Sequence, residues 1–351
     1  MKDIFNRTIE YLRISITDRC NFRCVYCMPE EGVEYIEHDE ILNFDEIVRI
    51  CRIGVGLGIK KIKITGGEPL VRRDAVPLIA RIKSIAGIEE VTLTTNGLLL
   101  ERHIPALREI GIDGINISLD AVEPAAFERI TRFDKVETVL SAIRASVAAG
   151  IKTKVNALIM PGVNEDQIIP LAELARETPV HVRFIEVMPI GMGKDKRTVS
   201  PDDIRTLLGA EYGRLQPEHE KLGNGPATYY RIPGFAGRIG FIAAVSHCFC
   251  EQCNRVRLTS TGFLKACLQY SYGIELKPLL RGDYPDEVVA AAMREIIFRK
   301  PKEHQFNRKF QLVREKTAIR DCGYNPELAR AFRGLIHEED AEMHHMSSIG
   351  G

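Results

Sequence analysis

Five short runs that alternate apolar with polar residues, each separated from the next by a helical stretch, constrain this chain more than any other feature. In 11–17, Leu12, Ile14 and Ile16 oppose Arg13, Ser15 and Thr17, and in 60–65, Ile62 and Ile64 oppose Lys61, Lys63 and Thr65. In 90–95, Val91 and Leu93 face away from Thr92 and Thr94; in 114–120, Ile115, Ile117 and Leu119 face away from Asn116, Ser118 and Asp120. Run 152–159 repeats this with Val155, Ala157 and Ile159 against Lys154 and Asn156, and a sixth run follows at 180–187. Period two puts each set on one face of a strand. Recurrence at roughly thirty residues, with helices between, reads as successive βα units on a parallel sheet. A parallel sheet covered on both faces shows nearly continuous apolar runs. Here one face is apolar and meets the helices, so the other is expected to line a wet cavity. An antiparallel sheet with one solvated face also alternates, but the long helical crossovers argue against it. Six such units make an incomplete barrel or an open sheet.

The intervening segments carry helix signals. Asn43 with Glu46 forms a capping box ahead of a stripe of Ile47, Ile50, Cys51 and Val55, and Gly58 follows the end. Another helix, 136–149, is expected to bury Val139, Leu140, Ile143 and Val147. Past Met188 a helix starts at Ser200 with Pro201 in its first position. Segment 213–226, with Gly223, Gly225 and Pro226, reads as a connection, dividing the chain into 1–225 and 226–351. Asp286 is expected to cap a later helix with the stripe Val289, Met293, Ile296 and Ile297.

The polar face is also cationic. Arg13, Lys61, Lys63 and Lys154 lie on it, with Arg183 of the sixth run as a fifth. Unpaired cations in a cavity are costly, so a phosphate-rich anionic ligand is the natural partner. Lysine plus arginine balance aspartate plus glutamate, 48 against 48, which leaves no global field to draw in nucleic acid or an acidic membrane. No apolar run approaches the roughly 18 residues of a membrane span, and Met1 to Tyr11 has no signal-like core. A cytoplasmic location follows as the expectation. Nine cysteines there are expected to be ligands or catalysts rather than a disulfide framework.

Three of these thiols, Cys20, Cys24 and Cys27, fall within eight residues at C-x-x-x-C-x-x-C spacing. Zinc normally closes four ligands, whereas an iron-sulfur cubane on three cysteines keeps one iron open. At the end of the second strand, Thr65-Gly66-Gly67-Glu68-Pro69 lets backbone approach a ligand closely. Cys250-x-x-Cys253 followed by Cys267 is a second trio, for which zinc, with nearby Cys248 as fourth ligand, and an iron-sulfur cluster fit the spacing equally. There is no Walker loop and no G-x-G-x-x-G fingerprint, so a nucleotide would be held by side chains.

The first trio, with Tyr26 directly before its third cysteine, resembles the signature of radical S-adenosylmethionine (SAM) enzymes, and the Gly66-Gly67-Glu68-Pro69 turn resembles their SAM-binding motif. Leu12-Arg13 before Thr17-Asp18-Arg19-Cys20, together with Phe249-Cys250-Glu251-Gln252-Cys253-Asn254-Arg255-Val256-Arg257 and Cys267-Leu268, resembles the GTP 3′,8-cyclase family of molybdenum cofactor biosynthesis. The resemblance covers nearly the whole chain. It implies an α/β fold, an incomplete (β/α)6 TIM-like barrel with a smaller C-terminal domain covering its open side. It also implies two 4Fe-4S clusters, one on Cys20, Cys24 and Cys27 and a substrate-binding one on Cys250, Cys253 and Cys267. SAM would meet Tyr26, Lys63, Gly66, Gly67, Glu68, Thr94, Ser118 and Met188. GTP would meet Arg13, Lys61, Lys154, Arg183, Arg255 and Arg257. Lys63 stands where the family commonly has arginine, and a point charge lacks the guanidinium's bidentate contact. Cys248 lies outside the three-ligand pattern and reads as a spare thiol, and Cys322 as structural.

The implied reaction is reductive cleavage of SAM, removal of the 3′ hydrogen of GTP, and addition of C3′ to guanine C8, giving (8S)-3′,8-cyclo-7,8-dihydroguanosine 5′-triphosphate. Arg13, Arg255, Arg257, Gly350 and Gly351 are the expected catalytic set, the final Gly-Gly reaching back into the site by resemblance, where composition alone reads a frayed end. The expected partners are an external one-electron donor and a downstream pathway enzyme, with a homodimer as an admitted assembly. A radical SAM peptide-modifying enzyme would usually carry more C-terminal cysteines. A zinc-stabilised nucleic-acid reader is opposed by the zero net charge and the lack of interleaved surface aromatics.

Overall fold

The computed structural model describes residues 1–304 apart from 195 and 221, together with 306, 332 and 334–337. The first half alternates as its periodicity requires: β1 Tyr11–Ser15, α1 Phe44–Gly56, β2 Lys61–Thr65, α2 Ala75–Lys83, β3 Glu90–Thr95, α3 Ile104–Ile110, β4 Gly114–Ser118, α4 Pro124–Thr131, α5 Val136–Ala148, β5 Thr153–Leu158, α6 Ile168–Glu177 and β6 His181–Ile185. Then come α7 Pro201–Tyr212, β7 Gln216–Glu218, β8 Thr228–Arg231, β9 Arg238–Ile242, β10 Arg255–Leu258, β11 Phe263–Lys265, β12 Gly273–Glu275, α8 Lys277–Arg281, α9 Asp286–Phe298 and β13 Ile336–His337.

Strands β1 to β6 pair in sequence order and all parallel. Their apolar faces are the core: Leu12, Ile14, Ile62, Ile64, Val91, Leu93, Ile117 and Val155 are fully buried, in one cluster with Ile47, Ile50 and Cys51 of α1 and Leu78 and Ile79 of α2. Each such aliphatic side chain contributes about 1.5–3 kcal/mol relative to exposure, which is what holds the helices on the outside of the sheet. The helix starts follow local chemistry. Asn43 Oδ1 accepts from Glu46 N at 2.9 Å and the Glu46 carboxylate takes Asn43 N at 2.7 Å, closing the capping box. Ser200 Oγ accepts from Asp203 N ahead of Pro201.

Three details depart from the sequence pattern. Pro285, not Asp286, stands in the cap position of α9, and Asp286 is its first residue, without a side-chain cap bond. Val55, Leu140 and Val147 are half-buried, because they sit at the edge of stripes whose centres are Ile50, Cys51, Val139 and Ile143. The C-terminal strands, beyond what the alternation in the first half indicates, extend the same sheet from both edges. β10 pairs parallel with β1 and β9 parallel with β6; β11, β12 and β13 then add antiparallel on one side, β8 and β7 on the other. The unpaired backbone of both open edges is satisfied in this way. Among the described residues no helix is long and apolar enough to cross a membrane.

Candidate active site

The polar faces of β1 to β6 share one cavity of about 880 Å³. Arg13, Lys63, Thr92, Thr94, Asn116, Ser118, Lys154, Asn156 and Arg183 all line it. At the carboxyl ends of the strands its wall is the loop after β1. Cys24 O accepts from Cys27 N at 2.9 Å and Met28 N at 3.1 Å, a tight turn that carries Cys24 and Cys27. Phe22, buried against Phe127 at 5.7 Å between ring centroids, anchors the turn. Asn96 Nδ2 approaches Cys20 Sγ at 3.9 Å.

The turn after β2 lies against this loop so closely that only glycine fits. Gly67 N donates to Thr17 O at 2.7 Å and Glu68 N to Arg19 O at 2.8 Å. A Cβ at Gly67 would stand 2.4 Å from the Arg19 carbonyl oxygen, and one at Gly66 2.8 Å from that of Thr17. The Glu68 side chain turns away from the cavity: its carboxylate accepts from Leu70 N, Thr95 Oγ1 and Asn96 N, binding the turn to the end of β3. Burial raises Glu68 to about 7 against the pull of those hydrogen bonds.

Cys20, Cys24 and Cys27 line the same wall of the cavity. Burial raises Cys20 to about 11 and Cys24 well above the usual thiol range. At Cys20 burial outweighs the pull of Arg23, and at Cys24 Asp120 and the neighbouring thiols add to it. Three soft donors on one short turn fit an iron-sulfur cluster, whose iron supplies the charge that thiolates there need. Cys250, Cys253 and Cys267 line the same cavity. Cys253 is pushed up by burial, but Lys300 and Arg255, with hydrogen bonds from Arg255, outweigh this and bring it down to about 6. It is a ready thiolate ligand. Burial raises Cys250 to about 12, with Cys248 close beside it. This trio also fits a cluster.

Between the two trios runs a row of cations set by strand register. Arg257 of β10 pairs with Arg13 of β1, and Arg13 with Lys63 of β2. Neighbouring strands lie roughly 4.8 Å apart, so these like charges stand side by side on one face. Burial, then mutual repulsion, holds each below its usual value: Arg13 at about 10, Lys63 and Arg257 well below the ordinary range. Lys154 is lowered to about 8, by burial first and then by Arg183. Arg183 donates to Asn116 Oδ1 at 2.5 Å, while its Nε and Asn156 Oδ1 are buried without a hydrogen-bond partner. Such an array is built for a polyanion.

Of the residues expected from sequence, Tyr26, Gly66, Gly67, Lys63, Thr94, Ser118 and Met188 line the cavity at the first trio's end or along the strands, and Arg13, Lys154, Arg183, Arg255 and Arg257 line it with them. Lys61 does not: it shares the face of Lys63 but sits at the start of β2, where its ammonium meets Glu10 at 2.5 Å. Gly350, Gly351 and Cys322 lie outside the described residues. Asn96, Lys300 and His304, which no sequence motif marks, also line the cavity. Asp120, marked in the sequence only by its place on the polar face of run 114–120, accepts from Tyr26 Oη at 2.7 Å at the cavity wall. Cys248, a spare thiol by the three-ligand pattern, stands beside Cys250 and His304.

Residues 14–175 match the family described as the Radical SAM superfamily, and residues 180–306 the one described as Molybdenum Cofactor Synthesis C. The likeness of fold extends to solved structures of Streptococcus suis SuiB. That bound to its precursor peptide SuiA has a TM-score of 0.59 at 14% identity, over 85% of this chain and 66% of that one. That bound to S-adenosylmethionine has a TM-score of 0.57 at 16% identity, over 74% and 60%. The parallel half-barrel with a cysteine trio after its first strand is thus the architecture of a radical SAM enzyme. The GTP 3′,8-cyclase of Clostridium perfringens (strain 13 / Type A) is 44% identical over 309 residues, 88% of this chain and 96% of its own length. That of Geobacter sulfurreducens is 45% identical over 305 residues, 86% and 93%. The chain belongs to the GTP 3′,8-cyclase family.

Proposed function

We propose that this chain converts GTP to (8S)-3′,8-cyclo-7,8-dihydroguanosine 5′-triphosphate, the first step of molybdenum cofactor biosynthesis. The observation that carries the reading is the shared cavity, with a cysteine trio at each end and a row of cations between. Cys20, Cys24 and Cys27 hold one 4Fe-4S cluster, and Cys250, Cys253 and Cys267 hold the other. When bound, the first cluster would supply the electron for reductive cleavage of SAM, the source of hydrogen abstraction from the substrate. Gly66 and Gly67 bring backbone against SAM, and Tyr26, Lys63, Thr94, Ser118 and Met188 surround it. Arg13, Lys154, Arg183, Arg255 and Arg257 grip the triphosphate, so that binding relieves their mutual repulsion and fixes the ribose toward the first trio. Glu68 acts through the turn it anchors, and Lys61 through its pairing with Glu10. The apolar strand faces and the helices over them exclude water and stray hydrogen donors from the opposite side.

In this reading residues 1–225 start the radical and residues 226–351 select what receives it. The reaction draws an electron from an external donor, runs in the cytoplasm and hands its product to a downstream enzyme. The test is anaerobic incubation of the reconstituted, reduced chain with SAM and GTP deuterated at C3′. Deuterium in 5′-deoxyadenosine and a cyclised nucleotide by mass spectrometry are expected; 5′-deoxyadenosine with GTP unconsumed would sink the substrate assignment.

A further inference from the structure

Cys248, Cys250 and His304 each bring a ligating atom to within 4.8 Å of the others, the one such group of His, Cys, Asp or Glu among the described residues. Neither cysteine trio closes to that distance. The closer group has the spacing of a single ion's coordination shell. A second feature points the same way. Both ring nitrogens of His304 are buried and make no hydrogen bond, the backbones of Ala244 and of His304 itself facing the ring outside hydrogen-bonding geometry. The ring is held against Phe306 at 4.4 Å, and His304 N donates to Cys250 Sγ at 3.4 Å. A buried imidazole with both nitrogens unsatisfied is rare unless a ligand takes one of them. Cys248 is exposed and offers an entry path from solvent.

We propose that Cys248, Cys250 and His304 form a site for one divalent ion of the zinc class, filled when the second trio carries no cluster. Two thiols and an imidazole suit such an ion, with the fourth position left to water, and each thiol releases a proton on binding. Cys250 belongs to both ligand sets, so ion and cluster exclude one another. The ion pins the 248–250 loop to the chain after α9 in the cluster-free protein, and zinc in excess blocks assembly of the second cluster. Exclusion rests on the cluster assignment of Cys250 made above; binding of the ion does not.

The test uses the full-length chain prepared without iron, with Co²⁺ as probe and no SAM or GTP present. One cobalt per chain is expected, with thiolate-to-cobalt absorption and the intense visible bands of a tetrahedral ion. Cys248→Ser, at an exposed position, and His304→Ala should each lose that spectrum, whereas the triple Cys20, Cys24 and Cys27→Ser variant and Cys267→Ser should keep it. Paramagnetically shifted imidazole proton signals report His304 without any substitution. No cobalt binding, or a spectrum indifferent to Cys248→Ser and lacking those imidazole signals, overturns the proposal. Failure of GTP turnover by a separate preparation reconstituted with iron and sulfide, with cobalt binding by the iron-free chain intact, would count against the substrate reading alone.

Discussion

The Arg7 guanidinium donates to the Cys250 carbonyl at 2.9 Å, across 243 residues of sequence. The same buried group reaches the carbonyls of Lys300, Pro301 and Lys302 and pairs with Asp3 at 2.6 Å. The N-terminal arm therefore frames the second cysteine loop. Arg7→Met would leave the buried Asp3 carboxylate unpaired and the carbonyls without a donor, at a cost of about 3–5 kcal/mol. Iron after reconstitution is expected to fall from about eight to about four per chain, the first trio keeping its cluster. A variant that still carried both clusters, by iron and sulfide analysis, would show that Arg7 does not position the loop.

At Gly67 the limit is space rather than dihedral freedom. The Cβ of Gly67→Ala would enter the Arg19 carbonyl, which is backbone and has no rotamer to retreat to. Overpacking of this kind costs about 1–3 kcal/mol, concentrated where the turn meets the cysteine loop. SAM affinity of the reconstituted variant should drop at least tenfold by equilibrium dialysis, while the iron of the second trio stays. Unchanged SAM binding would mean that the close approach serves folding alone.

Lys63 should trade stability for binding. Its ammonium is disfavoured by burial and by Arg13, Arg183 and Lys154. Lys63→Met removes a charge from a crowded row and keeps the stem, so the cluster-free protein should melt higher, by about 1 kcal/mol or more in stability. SAM or nucleotide affinity should fall in the same variant. A lower melting temperature would contradict the account of the row as a site held charged for an anion.

The parts of this architecture that are local could be read from residue order. Alternation in β1 to β5 and the capping box at Asn43 follow from nearest neighbours, and so does the face on which Arg13, Lys63 and Lys154 lie. Alternation assigns a face but not a depth along the strand, which is why Lys61 and Lys63 are equivalent by residue order although Lys61 pairs with Glu10 at the start of β2. The glycine turn signalled a ligand, yet the Glu68 carboxylate is spent on Asn96 and Thr95, a contact between strand ends that no spacing encodes. The closing of both sheet edges by β9 and β10 is likewise nonlocal. His304 lies 54 residues from Cys250 in a segment with no motif, so its approach to the sulfur is visible only in the fold.

Lys154 supplies a pH dependence whose sign can be fixed. In the ligand-free protein, burial first and then Arg183 and Lys152, opposed by Glu90, lower it to about 8, against about 10.4 in an unfolded chain. Between those values the unfolded chain binds more protons, so stability of the ligand-free protein rises as pH goes from about 8 to about 10.4. Below about 8 the charged ammonium is a steady penalty, and a bound triphosphate converts it into an attraction. The ammonium form is then favoured in the complex, its pKa rises, and binding above pH 8 takes up a proton. Affinity for a non-reactive GTP analogue should therefore weaken as pH rises through 8. Calorimetry in buffers of different ionisation enthalpy should register proton uptake at pH 9 and less at pH 7. Lys154→Met should weaken binding about tenfold at pH 7, roughly 1.4 kcal/mol, and flatten this part of the pH dependence. Equal affinity at pH 7 and 9 in the unmodified chain would place the triphosphate away from Lys154.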